Sequence, residues 1–273
     1  MSFLSWFKKK PVVQTTAVPV PRILSYECAS VQGIGSRQQQ EDAFSLTNAT
    51  DVTNILHYGL LAIVADGMGG MQGGALASQG AIEVIERDFQ TIDRAQALEP
   101  QLEMCIHHAN QWVYQQLNGT GGSTVVACMI FNQQLYYAGV GDSYLYLLRQ
   151  GQLIRLNREQ NVLHQRYLEL IREGCADPTA AAAIPEKQAV TSFLGLDVLE
   201  DVDCFKQAMP LQDGDKLLLC SDGIGGMLSQ PEIVQCLTAH NAQEVCLMLE
   251  SKVSEKMHPN QDNYTAVVIR CEK

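Results

Sequence analysis

Five aspartates hold most of the chemical potential of this chain. Asp42, Asp66, Asp142, Asp222 and Asp262 each flank an apolar run and stand next to glycine or turn-forming residues. Two of them share one grammar: Leu60-Leu-Ala-Ile-Val-Ala-Asp-Gly67 and Lys216-Leu-Leu-Leu-Cys-Ser-Asp-Gly223 are apolar runs that stop at Asp-Gly. Asp-Gly is a strong turn signal, so each reads first as a buried strand ending in a turn. A hydrogen-bonded turn cap accounts for any one of the five. Five in one chain make a different case, because a carboxylate beside a buried strand is costly unless paired or bound to a cation. The sequence has no C-x-x-C pair and no H-E-x-x-H, which argues against zinc. An all-oxygen site for Mg2+ or Mn2+ fits the residue types. Two such ions a few ångströms apart activate a water and stabilise in-line attack on phosphorus.

The elements between the acids must bring them together. Strands are expected over 23–33, 43–46 and 60–65, with a loop over 48–54. After Gly74, the residues Ala77, Ala81, Ile85 and Phe89 recur every four positions, the stripe of an amphipathic helix. A second helix follows Pro100, with Leu102, Cys105, Ala109, Val113 and Leu117 on one face, and stops at Asn118-Gly-Thr-Gly-Gly122. Strands over 124–130, 135–140, 144–148 and 153–156, with turns at Asn132-Gln133 and Gln150-Gly151, read as a meander of hairpins. A helix over 160–173 closes at Gly174. The Ala-rich segment 175–187 reads as an irregular, mobile flap. A strand over 216–220 reaches the second Asp-Gly. Capping boxes at Ser229-Gln-Pro-Glu232 and Asn241-Ala-Gln-Glu244 announce two helices, and a last strand covers 264–270. Strands and helices are segregated rather than alternating, which predicts an α+β fold with antiparallel sheets packed face to face and helices outside.

Composition narrows the function classes. A net charge of −11 argues against a binder of nucleic-acid backbones. Nine cysteines, several of them inside apolar runs, read as reduced buried thiols in a cytoplasmic setting. No stretch approaches the roughly 20 apolar residues of a membrane span. Residues 1–21 read as a flexible tail. Its Met1-Ser-Phe-Leu-Ser-Trp-Phe-Lys-Lys-Lys10 start suits weak contact with an anionic membrane or a partner, set against simple fraying, and 11–21 reads as a Pro-rich linker. Residues 22–273 read as one domain.

The acids fall within six ordered motifs: Gly35-Ser-Arg-Gln-Gln-Gln-Glu-Asp42, Val64-Ala-Asp-Gly-Met-Gly-Gly70, Gly122-Ser-Thr124, Gly141-Asp-Ser143, Ser221-Asp-Gly223 and Gln261-Asp-Asn263. In order and rough spacing these resemble the metal-dependent PPM family of serine/threonine protein phosphatases, in its compact bacterial form. The resemblance implies a central antiparallel β-sandwich flanked by helices on both faces. It implies two Mn2+ or Mg2+ ions, with Asp42 and Asp66 as carboxylates of the binuclear centre and Asp66 bridging. The Gly67 carbonyl would add a ligand, and Asp222 and Asp262 would hold the other ion. Glu41 would act through metal-bound water. Arg37 would clamp the phosphate. Asp142, with Asp222, would form a third, weaker site. The implied reaction is hydrolysis of phosphoserine and phosphothreonine in proteins by a hydroxide bridging two ions, without a covalent intermediate. Phosphorylated proteins would be the substrates, a Ser/Thr kinase the cognate partner, and a monomer the default state.

Several positions depart from the family pattern. Met68 stands where some members carry a general-acid His, which leaves water at the metals to protonate the leaving group. Gln40 and Met71 replace the more usual Asn and His, and Gly225-Gly226 lacks an acid that some members have. Leu156-Asn-Arg-Glu-Gln160 departs from Thr-Arg-Asp-His. Among weaker signals, His107 and His108 read as surface, His258 as loop, and Trp112 and Tyr114 as core or surface of an amphipathic helix. Ser123 has no base beside it. Two other functions fit the same composition: a phosphohydrolase of small phosphate esters, and a catalytically weak partner-binding module.

Overall fold

β3 (Leu60–Met68) is apolar on both faces because both faces are covered. Alternate residues of a strand point to opposite sides. Leu60, Ala62 and Val64 join Leu145, Leu217 and Val267 in a core between two sheets, while Leu61, Ile63 and Ala65 pack with helices. A strand buried on both sides reads as a continuous apolar run, which is how the sequence first marks it. The structure is a computed structural model and describes residues 23–69, 73–175 and 189–273.

One sheet has the order β1 (Ser25–Gly33), β12 (Tyr264–Glu272), β11 (Lys216–Cys220), β7 (Tyr144–Arg149) and β8 (Gln152–Arg155). The other runs β10 (Met209–Pro210), β6 (Gln134–Val140), β5 (Val125–Phe131), β3 and β2 (Asp42–Thr47). Short strands β4 (Gly122–Ser123) and β9 (Asp203–Cys204) join it beside β3 and β6. Neighbouring strands pair antiparallel throughout. The hairpin turns fall where the sequence placed them, with φ of 49° and 62° at Asn132 and Gln133 and 51° and 80° at Gln150 and Gly151. These are the positive values that two-residue hairpins demand.

α2 (Gly73–Phe89) and α3 (Glu99–Leu117) cover the outer face of the seven-stranded sheet through Ala77, Ile85, Phe89, Leu102, Ala109 and Val113. Trp112 belongs to this packing, its ring lying against Gly80 of α2. α6 (Gln230–Leu237) and α7 (Ala242–Glu255) cover the five-stranded sheet. Both start at the expected caps: the Glu232 carboxylate accepts from the Ser229 N–H at 2.8 Å, and Asn241 accepts from the Glu244 N–H at 2.8 Å. The result is the four-layer arrangement, helices outside two face-to-face antiparallel sheets, that segregated elements imply.

Several elements differ from expectation: the short strands β9 and β10 have no counterpart in the sequence reading, and β3 runs on through Asp66-Gly67 to Met68 rather than turning there. The loop expected over 48–54 gives way to helix α1 (Val52–Tyr58), capped by Asp51, whose side chain accepts from the Asn54 N–H at 3.0 Å. None of its residues is fully buried, and at seven residues its apolar positions Val52, Ile55 and Leu56 span only about two turns, too short a stripe to mark a helix in the sequence. The second Asp-Gly opens a short helix, α5 (Asp222–Gly225), rather than a simple turn. α4 (Val162–Arg172) matches the expected helix, with Asn161 as its cap. Nearly all of the expected flap and the N-terminal tail, as well as Met71, lie outside the described residues. Among the described residues, no helix is long and apolar enough to cross a membrane. All nine cysteines are free thiols.

Candidate active site

Antiparallel pairing turns five distant aspartates into neighbours. β2 starts at Asp42 directly opposite Asp66, near the end of β3. The end of β11, at Cys220, pairs with Tyr144 at the start of β7 and with Ala266 near the start of β12. Asp142 therefore precedes β7, Asp222 follows β11, and Asp262 precedes β12, all at the same end of the sandwich. β1 reaches this end at Gly33, opposite Tyr264, and hands the chain to the 34–41 loop that carries Arg37 and Glu41. A cavity of about 310 Å3 opens there, lined by Arg37, Glu41, Asp66, Gly67, Asp142 and Asp222 among others. An adjoining cavity of about 410 Å3 shares Asp142, Asp222 and Asp262 and has His258 at its exposed rim.

Side chains that the sequence presented only as motif company hold this arrangement. Ser221 donates to Asp42 Oδ2 at 2.7 Å and accepts from the Thr265 N–H at 3.0 Å, tying β2, β11 and β12 together. Asn263 accepts from the Glu41 N–H at 2.8 Å and donates to the carbonyls of Ile34 and Gln39 at 2.9 and 3.0 Å, shaping the 34–41 loop. Gln40 donates to the Gly33 carbonyl and accepts from the Asp42 N–H, so it fills a structural role there. The Gly67 N–H donates to the Glu41 carbonyl at 3.1 Å. Ser123 is fully buried and donates to the Asp66 and Thr124 carbonyls, which fits its reading as structure rather than nucleophile.

Gly223 marks a point of close approach. A Cβ there would stand 1.9 Å from the Asn263 carbonyl oxygen, which is backbone and has no rotamer to escape into. Gly223→Ala is expected to cost about 1–3 kcal/mol through this overpacking. A urea midpoint equal to that of the wild type would show that the contact does not constrain the site.

The electrostatics are those of a site short of positive charge. Asp42 is 3 % exposed, and its carboxyl is pushed up to about 6 by burial, then by Asp222 and Asp262, against the hydrogen bonds of Ser221 and Thr265. Asp66 has one edge on the cavity, yet burial among protein atoms and the neighbouring Asp42, Asp222 and Asp142 push it well up. Asp142 is raised to about 7 by burial and by Asp222. Asp222 is raised by burial and by Asp262, although Asp66 lies within hydrogen-bonding reach and Arg37 favours its charge. Burial combined with like charge is the signature of a functional carboxylate cluster.

The donor set fits divalent cations. Asp42 Oδ1, Asp222 Oδ1 and Glu41 Oε1 are buried with no hydrogen-bond partner, and the full set is hard oxygen. Asp262 is ion-paired with Arg37, both half-exposed, and also accepts from the Asn263 N–H. As the side chains stand, no three His, Cys, Asp or Glu among the described residues converge on one point closely enough to hold an ion. The backbone gathers the carboxylates; it does not draw them into a single cage. His108 is exposed and bonded to Asp88 at 2.7 Å, away from the acids, as its surface reading expects.

Known proteins share this fold. The family model of protein phosphatase 2C matches residues 34–258. The serine/threonine phosphatase stp of Listeria monocytogenes is 30 % identical over 219 residues, covering 77 % of this chain and 83 % of that one. A crystal structure of the serine/threonine phosphatase PstP/Ppp of Mycobacterium tuberculosis superposes with a TM-score of 0.72 at 26 % identity, covering 92 % of this chain and 99 % of that one. A crystal structure of the PstP catalytic domain with two manganese ions has the same fold, with a TM-score of 0.72 at 24 % identity over 92 % of this chain and all of that one. The chain belongs to the protein phosphatase 2C family, the PPM class that its six motifs resemble.

Proposed function

We propose that this chain is a protein serine/threonine phosphatase whose two Mn2+ or Mg2+ ions are held by Asp42, Asp66, the Gly67 carbonyl, Asp222 and Asp262. The observation that carries the assignment is the gathering of five aspartates, with orphaned buried oxygens on two of them, at one end of the sandwich. When bound, the ions supply Lewis acidity and an activated water for in-line attack on phosphorus. Asp66 lies opposite Asp42 and beside Asp222, which supports the reading that it would be a ligand shared by the two ions. Glu41 would orient solvent next to the ions, and Asp142 with Asp222 would hold a third, weaker ion. Met68 lines the cavity and has no proton to give, so the leaving alkoxide takes its proton from water there.

Arg37 is 53 % exposed and paired with Asp262, so its guanidinium is free to exchange a carboxylate for a phosphoryl group. Arg37→Ala is expected to raise KM about tenfold or more while leaving kcat within a few-fold. A fall in kcat at unchanged KM would remove the clamp role. The substrates are phosphoserine and phosphothreonine proteins, supplied by a Ser/Thr kinase. The free thiols support a cytoplasmic setting, and the chain acts as a monomer.

Phosphate release from a phosphothreonine peptide, with Mn2+ and with chelator, tests the whole reading. Chelator-resistant release would sink it. Comparable turnover of a small aryl phosphate, with no preference for the peptide, would favour the small-ester alternative.

A further inference from the structure

Residues 156–160, which depart from the family's usual sequence, lie against the turn that presents Asp142. That turn has no ladder to hold it, and Gly141 adopts a φ of +100°, a backbone region costly for other residues. Each of its three carbonyls is nevertheless held, by Arg155 at the end of β8 or by the segment that follows it. The Gln160 N–H donates to the Gly141 carbonyl at 3.1 Å, and Gln160 Oε1 accepts from the Gly141 N–H at 2.7 Å. Arg155 Nη2 donates to the carbonyls of Asp142 and Ser143 at 3.1 and 3.3 Å. Asn157 Nδ2 donates to the Ser143 carbonyl at 2.7 Å.

Arg155 is the centre of this clasp. Its side chain is 17 % exposed and ion-paired through Nη1 with Glu159. The guanidinium lies 3.9 Å from the centroid of the Tyr144 ring, which in turn stacks on Tyr146. One planar group thus meets two carbonyls, a carboxylate and an aromatic face at once, which an ammonium cannot do.

We propose that Arg155 is a positioning residue that fixes the 141–143 turn so that the Asp142 carboxylate is preformed beside Asp222 for a further divalent cation. The proposal rests on the reading of Asp142 as a metal carboxylate. Two effects of Arg155 on that cation have opposite signs. Its positive charge repels the ion, whereas its hold on the turn prepares the ligand. Because Glu159 neutralises much of the charge, positioning dominates.

The sign of the change on mutation is therefore the test. Free Mn2+ is followed by electron paramagnetic resonance as it is titrated into chelator-treated full-length protein. The wild type is expected to show two tighter sites and one weaker, and Asp142→Asn to lose the weaker one. Arg155→Lys, which keeps the charge, is expected to weaken that site about tenfold and leave the tighter two intact. Arg155→Gln should weaken it as well, although it removes a repelling charge. Tighter weak-site binding in Arg155→Gln, or unchanged binding in Arg155→Lys, overturns the positioning role. Unchanged binding in Asp142→Asn overturns the reading beneath it, and the two failures fall on different variants. Intact tighter sites serve as the control for folding. Should Arg155→Gln not fold, Asn157→Ala loosens the same turn at Ser143, and its weak site must also fail.

Discussion

Asp66→Asn and Asp222→Asn are each expected to lower kcat/KM for a phosphothreonine peptide at least about a thousandfold, roughly 4 kcal/mol of transition-state stabilisation. Asparagine keeps the shape and removes the charge that would hold a cation between Asp42, Asp66 and Asp222. The same substitutions relieve a buried like-charge repulsion, since Asp66 and Asp222 are both raised by burial and by carboxylate neighbours. In chelator each variant should therefore melt no lower than the wild type, while activity in Mn2+ collapses. That pairing separates lost chemistry from lost fold. Asp142→Asn, on the weaker site, should cost much less. Retention of a tenth or more of wild-type activity in both Asp66→Asn and Asp222→Asn would refute the binuclear assignment.

The second large effect concerns stability against pH. An unfolded Asp titrates near pH 3.9, whereas burial and neighbouring carboxylates push the folded Asp42 carboxyl up to about 6 and that of Asp142 up to about 7. Between these limits the folded chain holds more protons than the unfolded one, so stability falls as pH rises through that window. For Asp42, nearly fully buried, this corresponds to about 3 kcal/mol lost by pH 7 in chelator. A divalent cation that binds only the folded chain opposes this, by about 2.7 kcal/mol at a hundredfold excess over Kd. The gap in Tm between Mn2+ and chelator should accordingly be wider at pH 7.5 than at pH 5. Asp42→Asn should flatten the pH slope in chelator. A chelated wild type that grows more stable from pH 5 to 7.5, with Asp42→Asn unchanged in slope, would mean that the cluster is not under the inferred repulsion.

The acids were legible one by one because each sits at a strand end, where an apolar run meets a turn signal. The helices α2, α3, α6 and α7 were legible through periodicity and caps, and the hairpins through turn residues. α1 was not, because Val52, Ile55 and Leu56 make a stripe only about two turns long. The work of Ser221 and Asn263 was hidden for another reason. Their hydrogen bonds to Asp42 and Glu41 span 179 and 222 residues of sequence, and no local pattern encodes such a bond. The same holds for the Arg37–Asp262 pair, 225 residues apart. Residues 156–160 show no local pattern that tells their role, because Asn157 and Gln160, with Arg155 just before them, grip the Asp142 turn only in the fold.

The sequence by itself determined the inventory: two sheets' worth of strands, helices for their outer faces, and a set of hard oxygen donors at strand ends. These depend on residue type and local spacing. Only the tertiary structure decided that all five aspartates share one end of the sandwich, which carboxylate oxygens are left without partners, and which carboxyls are pushed up. Those properties arise from strand register and burial, which bring together charges that lie far apart along the chain.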